Sequence, residues 1–337
     1  MLIGAFKETV FLSTSIPDFA CNSSQSFLVV IVPNNLPDSP AFADNSNLAS
    51  AIIMGSCDNI GSYLFENCTA LNNVVLPNNL LQIRENTFKN CTALENIKFP
   101  DELVYISKNA FKDCTALKNI NFTSKITEIS ENAFENCISI TELSFPASLY
   151  NIKTAAFKGC TGIKEIELPE TIRMTDKYIF QDCTGLEKVI INTPDSRYMY
   201  SGAFAGCTSL RDVTLNGTWN IMAGEIFKDC ISLKNISLPS TIARINGSAF
   251  AGCTALESIV IPNNEVSLYN YVFKGCTSLK EVTLPKTTTF LNNYNFSGCT
   301  ALTTINYGGT EEEWNALSNL TYQSIPSTTA INYEYQY

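Results

Sequence analysis

Three glutamates are the residues whose types and spacing come nearest to a catalytic arrangement. Glu142 and Glu165 lie 23 residues apart, and Glu167 follows two residues later. Glycoside hydrolysis needs two carboxylates about 5 Å or about 6.5–9.5 Å apart, and neighbouring strands of a sheet lie about 4.8 Å apart. Glutamates at equivalent positions of adjacent strands would meet that requirement. The alternative, which we favour, is a solvated sheet face on which Lys164 and Lys188 balance the charge.

The residues that most other catalytic mechanisms require are absent from this sequence. The 337 residues include no histidine, which removes Ser-His-Asp, Cys-His and histidine-ligated metal sites. The thirteen cysteines contain no Cys-x-x-Cys pair of the kind that binds zinc. Neither a P-loop nor a dinucleotide-binding fingerprint occurs. We therefore predict no enzyme activity, no cofactor and no metal.

Eleven cysteines recur at a fixed interval, each with a phenylalanine three residues before it. The interval is 23 residues throughout, except for 24 residues between Cys183 and Cys207. A constant period of this length predicts a solenoid, in which each repeat packs mainly on its neighbours. The pairs are Phe65 and Cys68, Phe88 and Cys91, Phe111 and Cys114, Phe134 and Cys137, Phe157 and Cys160, Phe180 and Cys183, Phe204 and Cys207, Phe227 and Cys230, Phe250 and Cys253, Phe273 and Cys276, and Phe296 and Cys299.

Each repeat contains one short predicted strand. In the segment from Leu117 to Phe122, Ile120 and Phe122 fall on one face because side chains alternate along a strand. Stacked repeats would join these strands into a parallel sheet, while a second apolar pair such as Leu103 and Ile106 would line the opposite wall. A proline after the strand should end it, since proline has no N–H for the ladder. These prolines are Pro77, Pro100, Pro146, Pro169, Pro239, Pro262 and Pro285.

The repeated cysteines are predicted to be free thiols inside the coil. All eleven occupy one position of the repeat, and a column of identical inward thiols behaves as small buried apolar groups rather than as disulfides. Cys57 falls at a leucine position of its repeat, so we interpret it as a core residue too. Cys21 lies outside the register and is the best candidate for an exposed thiol.

The two ends of the chain depart from the repeat and are assigned to caps. Residues 1–40 form an N-terminal cap with a degenerate first coil, in which Phe27–Val32 predicts a buried strand. Residues 41–307 form the repeats, beginning with a unit that has Asn45 in place of cysteine. Residues 308–337 form a C-terminal cap of a short helix and a strand.

The C-terminal helix is predicted from its start signal. Thr310 and Glu313 have the spacing of a capping box, in which each side chain bonds the other residue's backbone. Trp314 and Leu317 would then face the last coil. Alternation at Ile331, Tyr333 and Tyr335 predicts one more strand.

The net charge of the chain argues against some classes of binding partner. A net charge of −10 argues against nucleic acid and against an anionic membrane surface. No apolar run approaches the roughly 18 residues that span a bilayer, so we predict no membrane insertion. Residues 1–10 lack the basic, apolar and small-residue regions of a signal peptide, so this segment does not indicate where the protein is located.

The repeat resembles the BspA-type leucine-rich repeat, a bacterial subclass also found in protists. The pattern Ala-Phe-x-x-Cys-Thr-x-Leu-x-x-Ile-x-Leu-Pro stands nearly complete at residues 203–215, 249–262 and 273–285, and the resemblance covers roughly residues 41–320. It implies an α/β solenoid, mainly β: a right-handed coil of about 12 repeats with a parallel sheet on one face. Members are mostly surface or secreted binding proteins, which implies adhesion or protein recognition outside the cell.

The strand face and several tyrosines are the candidate binding surfaces. Outward positions along the strands vary and include apolar residues, and tyrosine offers rigid contact area with a polar tip. Packing between adjacent turns is the alternative interpretation of these tyrosines. The candidate partner-binding residues are Tyr178, Tyr198, Tyr200, Tyr269, Tyr271, Tyr294, Glu142, Glu165, Glu167 and Ile190.

The leading hypothesis is a non-enzymatic recognition or adhesion protein that binds a protein or a glycan. One alternative is a structural, decoration or receptor-binding component of a larger assembly such as a bacteriophage virion. The remaining alternative is a carboxylate glycosidase. The repeat after Cys183 has one extra residue, and an insertion in a solenoid often forms a loop on the side that meets a partner. Simple drift of the sequence in one turn is the alternative, which we favour.

Overall fold

Each repeat forms one coil of a solenoid whose opposite walls consist of parallel strands. The computed structural model describes residues 40–53, 57–172, 176–193, 201–317 and 324–336, and the backbone of 29–32. About eleven coils of about 23 residues follow one another. Within the described part the one helix is α1 (Glu311–Ala316). The predicted solenoid and its mainly β character are confirmed, while its handedness stays a prediction.

The strands are short, most of them having two to four residues. In chain order they are β1 (Val29–Val32), β2 (Ser50–Ile53), β3 (Asn59–Ile60), β4 (Asn73–Val75), β5 (Gln82–Ile83), β6 (Tyr105–Ile106), β7 (Glu128–Ile129), β8 (Asn151–Ile152), β9 (Glu165–Leu168), β10 (Lys188–Thr193), β11 (Asp212–Gly217), β12 (Ile221–Met222), β13 (Arg244–Ile245), β14 (Ser258–Val260), β15 (Val266–Leu268), β16 (Glu281–Leu284), β17 (Thr288–Leu291), β18 (Thr304–Tyr307) and β19 (Ala330–Asn332).

One wall, here called the first face, carries the predicted strand of each repeat. It comprises β1, β2, β4, β9, β10, β11, β14, β16, β18 and β19, grouped in three parallel sheets. Between β4 and β9 the coils are joined by single bridges from Asn96 to Asn119 and from Asn119 to Glu142. Equivalent residues of successive coils therefore lie side by side, as the register Glu165–Lys188–Asp212 shows.

The opposite wall, the second face, is also a set of parallel sheets. It consists of β3, β5, β6, β7 and β8, followed by β12, β13, β15 and β17. Leu103 and Ile106 are fully buried there, as predicted, but the sequence indicated sheet pairing on one face only. Once coils stack at strand spacing, extended backbone on the far side reaches pairing distance as well.

Proline sets the length of the strands on the first face. β9 and β16 end at Leu168 and Leu284, directly before Pro169 and Pro285, which confirms the predicted stop. The two coils with asparagine at that position, Asn192 and Asn216, have the six-residue strands β10 and β11. An N–H is available there, so the ladder continues.

Phenylalanine rings stack in a continuous column inside the solenoid. From Phe42 to Phe296, successive ring centroids lie 5.2–6.1 Å apart and the planes are within 19° of parallel. Offset stacking of this kind is favourable between aromatic rings. The column continues from Phe180 to Phe204 at 5.6 Å, so the 24-residue repeat leaves it intact.

The position of the extra residue of that repeat is bracketed by the register of the coils on either side. Leu168 and Ile191 are register partners 23 residues apart, whereas the equivalent positive-φ positions Tyr178 and Gly202 are 24 apart. The insertion therefore falls between Ile191 and Gly202. Most of that segment, residues 194–200, lies outside the described residues.

The cysteines form a second column beside the rings. All eleven repeat thiols are free and buried, which confirms the prediction; Cys57 is half-buried against the core, and Cys21 lies outside the described residues. Each Sγ donates to the carbonyl oxygen of the phenylalanine in the preceding coil, at 3.0–3.3 Å. The thiols thus bond adjacent coils together.

A strand near the N-terminus and a helix and a strand near the C-terminus are present, as predicted. β1 pairs with β2 in parallel and extends the first face at its N-terminal end. Thr310 caps α1, and its hydroxyl and the Glu313 carboxylate accept from each other's backbone N–H at 3.2 and 2.8 Å. Trp314 is buried and packs edge-on against Tyr307 at 5.3 Å. Ile331 lies in β19, whereas Tyr333 and Tyr335 follow it.

We expect the repeat thiols to be inert in the folded protein. Burial raises their pKa and removes access, and the thiolate is the reactive species. Native protein treated with a chromogenic disulfide reagent should release signal from Cys21 and Cys57 at most, and from all thirteen cysteines in guanidinium. Rapid native labelling of repeat cysteines, located by mass spectrometry, would contradict the buried column.

We also expect a steep loss of stability in alkali. Burial raises the pKa of Cys183, Cys253 and Cys299 from 9.0 to about 12. The folded state keeps these protons when the unfolded chain has lost them, so stability is complete below pH 9 and is lost as pH rises towards 12, by up to about 1.4 kcal/mol per pH unit per thiol. Denaturant unfolding across this range should have a shallower pH slope in the Cys183→Ala, Cys253→Ala, Cys299→Ala variant. An unchanged slope would assign the loss to other groups.

Candidate functional site

The first face presents two columns of outward side chains. One column contains Glu142, Glu165, Lys188 and Asp212, and the other contains Glu167 and Ile190, two residues further along their strands. Leu143, Ile166 and Val189, between them, point inward and are buried. The alternation of β-strands therefore fixes which side chains a partner meets.

A groove of about 510 Å³ crosses this face where the strands lengthen. Its lining includes Phe145, Glu165, Glu167, Lys188 and Ile190. Three of the predicted site residues, Glu165, Glu167 and Ile190, are thus brought together. Glu142 is exposed directly before Leu143 at the groove's edge, in register with Asn119.

The charges of the groove are incompletely balanced. Lys188 Nζ lies 3.6 Å from Glu165 Oε2, and the Glu165 side chain is 69% exposed. Exposed pairs of this kind contribute little, typically about 0–1 kcal/mol. Two carboxylates and one ammonium line the groove among the described residues, so it is acidic overall.

A ladder of hydrogen bonds holds Glu167 in place. Asn192 Nδ2 donates to Glu167 Oε1 at 2.9 Å, and Asn216 Nδ2 donates to Asn192 Oδ1 at 2.7 Å. Both asparagines stand at the position that proline occupies in other coils. The same arrangement recurs where Asn306 donates to Glu281 and Asn332 donates to Asn306.

Three of the predicted tyrosines, Tyr178, Tyr271 and Tyr294, lie elsewhere, at the turn two residues before a repeat phenylalanine. Tyr271 and Tyr294 are exposed and stack at 5.5 Å with planes 8° apart, and Lys274 Nζ lies 5.1 Å from the Tyr271 ring centroid. Both tyrosines have φ near 60°, a strained region for a bulky residue. Their role in partner binding stays a prediction.

Tyr269 and Tyr178 make internal contacts. Tyr269 packs edge-on against Phe290 at 5.9 Å and faces the Arg244 guanidinium at 5.7 Å. The Tyr178 hydroxyl donates to Glu225 Oε2 at 3.5 Å, two coils away, and the ring lies over Gly202. For Tyr178 the structure favours packing between turns. Tyr198 and Tyr200 lie outside the described residues.

The sequence did not indicate the groove itself. Phe145 and Pro169 form part of its lining but belong to the core and proline columns, and so they gave no separate signal. Comparing the repeats position by position would have drawn attention to the place where Pro169 gives way to Asn192 and Asn216 in the next two coils.

Neither a metal-ligating cluster nor a membrane-spanning helix occurs among the described residues. They contain no group of three or more Cys, Asp or Glu residues placed to hold a metal ion. In the same part of the chain, no helix has the length and apolarity that crossing a bilayer requires.

Stacked parallel strands, the phenylalanine column and the recurring leucines together define a leucine-rich-repeat solenoid. The chain belongs to the family described as the BspA-type leucine-rich repeat region, whose model matches in six copies over residues 35–151, 127–256 and 197–323. The predicted family is therefore confirmed. A comparison with curated proteins found no match.

Solved bacterial structures share this fold. A leucine-rich repeat protein from Bacteroides ovatus is 23% identical, with a TM-score of 0.64 over 90% of this chain and 92% of that chain. A leucine-rich cell surface protein from Faecalibacterium prausnitzii is 24% identical, with a TM-score of 0.51 over 90% and 89%. The pneumococcal vaccine antigen PcpA is 20% identical, with a TM-score of 0.54 over 85% and 74%. These similarities concern the fold.

We expect Gly202 to be required for the packing of Tyr178. Gly202 has φ +69°, and an added Cβ would lie 2.4 Å from the Tyr178 ring. Gly275 is a matched control, because φ is +74° there but the nearest atom would be 3.8 Å away. Gly275→Ala should cost about 1–2 kcal/mol for backbone strain alone, and Gly202→Ala at least about 1 kcal/mol more for overpacking. Equal losses in denaturant unfolding would contradict this packing.

Proposed function

We propose that this chain is a non-enzymatic recognition protein that binds a protein or glycan partner through the first face. The observation that carries the proposal is the register of this face, which sets outward side chains of differing chemistry side by side on a rigid framework. Val75 and Val260 are 45% and 52% exposed there. Exposed apolar residues among polar ones are typical of interaction surfaces.

The dimensions of the face suit a macromolecular partner. About eleven coils, at about 4.8 Å per strand, make a strip on the order of 50 Å long. A standard protein interface buries about 800 Å² on each partner, which such a strip provides. The framework is held by the interior columns, so binding requires little ordering of the protein.

We propose an extracellular location for this activity. Membership of the BspA-type family supports it, as does the likeness to a protein described as a leucine-rich cell surface protein. The buried thiols are compatible with an oxidising exterior, because oxidation acts on accessible thiolates.

A non-enzymatic role accords with the chemistry of the face. Glu165 is near Lys188, and Glu167 accepts a hydrogen bond from Asn192. Each carboxylate therefore has the kind of polar partner that is expected on a solvated sheet face. The sequence supplies no histidine for acid–base chemistry. These features favour binding over hydrolysis.

The proposal is tested by charge substitutions on the two faces. Purified protein is screened on arrays of matrix proteins and glycans, and each ligand is measured again with Val75→Asp, Ile190→Asp and Val260→Asp. At least one of these substitutions should weaken binding about tenfold or more. Burying an unpaired charge in the interface should reduce the binding free energy by over about 1.4 kcal/mol. Leu81→Asp and Tyr105→Asp, at 39% and 44% exposed on the second face, are matched controls. Loss confined to these controls would contradict the proposal.

A further inference from the structure

The groove on the first face combines apolar surface with an excess of carboxylates. Ile190 and Pro169 supply partly exposed apolar surface, with the buried Phe145 beside them in the lining. Glu165 and Glu167 project outward from β9, and Lys188 is the cation of the lining among the described residues. A volume of about 510 Å³ is typical of clefts that hold a small ligand or an inserted side chain. The lining suits a group that is apolar along its stem and positively charged at its tip.

A third column, here called the paired column, lies one residue before the first outward column in each coil, and most of its charged side chains form ion pairs between adjacent coils. Its charged members are Glu95, Lys118, Lys164, Glu187, Arg211, Lys234, Glu257 and Lys280. Lys118 lies 2.8 Å from Glu95 and Lys280 lies 3.4 Å from Glu257, each pair joining adjacent coils. Glu187 likewise contacts the Arg211 guanidinium. The Glu95–Lys118 and Glu257–Lys280 pairs are balanced, whereas Glu187 contacts Arg211 and also lies 3.9 Å from Lys164, so it has two cations beside it. Each glutamate of these pairs thus has a cation of its own, whereas the groove lining has two carboxylates and one cation, Lys188.

Glu167 is oriented before any ligand binds. Its Oε1 accepts from Asn192, which is itself held by Asn216. A carboxylate fixed in this way loses less side-chain freedom on binding, which improves affinity. Glu165, by contrast, is highly exposed and only loosely paired with Lys188 at 3.6 Å, so an incoming cation can replace that contact.

We propose that the groove binds an arginine side chain carried by an extended segment of the protein partner, next to an apolar residue. The guanidinium lies between Glu165 and Glu167, and its stem lies along Ile190 and Pro169. Arginine fits better than lysine because its planar fork can bond two carboxylate oxygens at once and its stem packs on apolar surface. This inference rests on the proposed function and specifies the partner: a protein with a basic, partly apolar segment.

The test uses a labelled, end-blocked hexapeptide of alternating leucine and arginine, whose arginines share one side when it is extended. A second peptide has citrulline in place of arginine, which keeps the shape and removes the charge. Fluorescence anisotropy with the full chain should show at least about tenfold tighter binding of the arginine peptide. Equal affinity for both peptides, or no binding of either, would overturn the inference.

Matched variants locate the site. Glu165→Gln with Glu167→Gln should weaken the arginine peptide about tenfold or more, whereas Glu95→Gln with Glu257→Gln, which removes the same charge from the paired column, should change it less than about twofold. Lys188→Gln should tighten binding, because it removes the competing cation. Equal effects of the two double variants would show non-specific attraction to an acidic protein and would overturn the assignment.

The result can be separated from that of the proposed function. If Glu165→Gln with Glu167→Gln leaves an array ligand bound while Val260→Asp releases it, the first face recognises its partner without the arginine site, and only this inference fails. If the arginine peptide binds the groove but first-face substitutions affect no array ligand, the arginine site is supported and the proposed function of the wider face fails.

Discussion

The architecture depends on a carbonyl oxygen shared between two coils. Phe88 O accepts from the Cys91 N–H at 3.1 Å within its own turn and from Cys114 Sγ at 3.0 Å in the next coil. The phenylalanine rings stack beside these bonds. Because both contacts recur from Phe65 to Phe273, they fix the distance and the register between coils. A larger or more polar residue than cysteine would not fit this interior position without moving the rings.

This interior regularity is what gives the surface its order. Side chains on the first face lie side by side only because the coils beneath them are held in register, so substitutions at outward positions change the surface without disturbing the core. The extra residue between Ile191 and Gly202 illustrates the separation, since the ring column passes from Phe180 to Phe204 at 5.6 Å. Variation in a solenoid is accommodated at the surface, where partners bind.

The proline column of the first face is interrupted at two successive coils, and the groove lies beside this interruption. Replacing proline by Asn192 and Asn216 restores two backbone donors, lengthens β10 and β11, and supplies the amides that orient Glu167. The groove lies at that transition, between shorter strands on one side and longer strands on the other. Its lining has two carboxylates and one cation, whereas Glu187 in the paired column contacts Arg211 and lies 3.9 Å from Lys164.

The repeat architecture was readable from the sequence because each level of structure repeats a local signal: the 23-residue period, the alternation around Ile120, the proline stops, and the capping box at Thr310. The inward cysteines followed from the same period. The sheets of the second face, the packing of Tyr178 across Gly202 and the groove at Glu165 and Glu167 could not be predicted from the sequence. These depend on distances between residues of different coils, which the sequence leaves undefined. The local sequence pattern determined the conformation of each coil and which of its side chains point inward. The tertiary structure decided which side chains of different coils meet, because those contacts form only when stacking brings the coils to strand spacing.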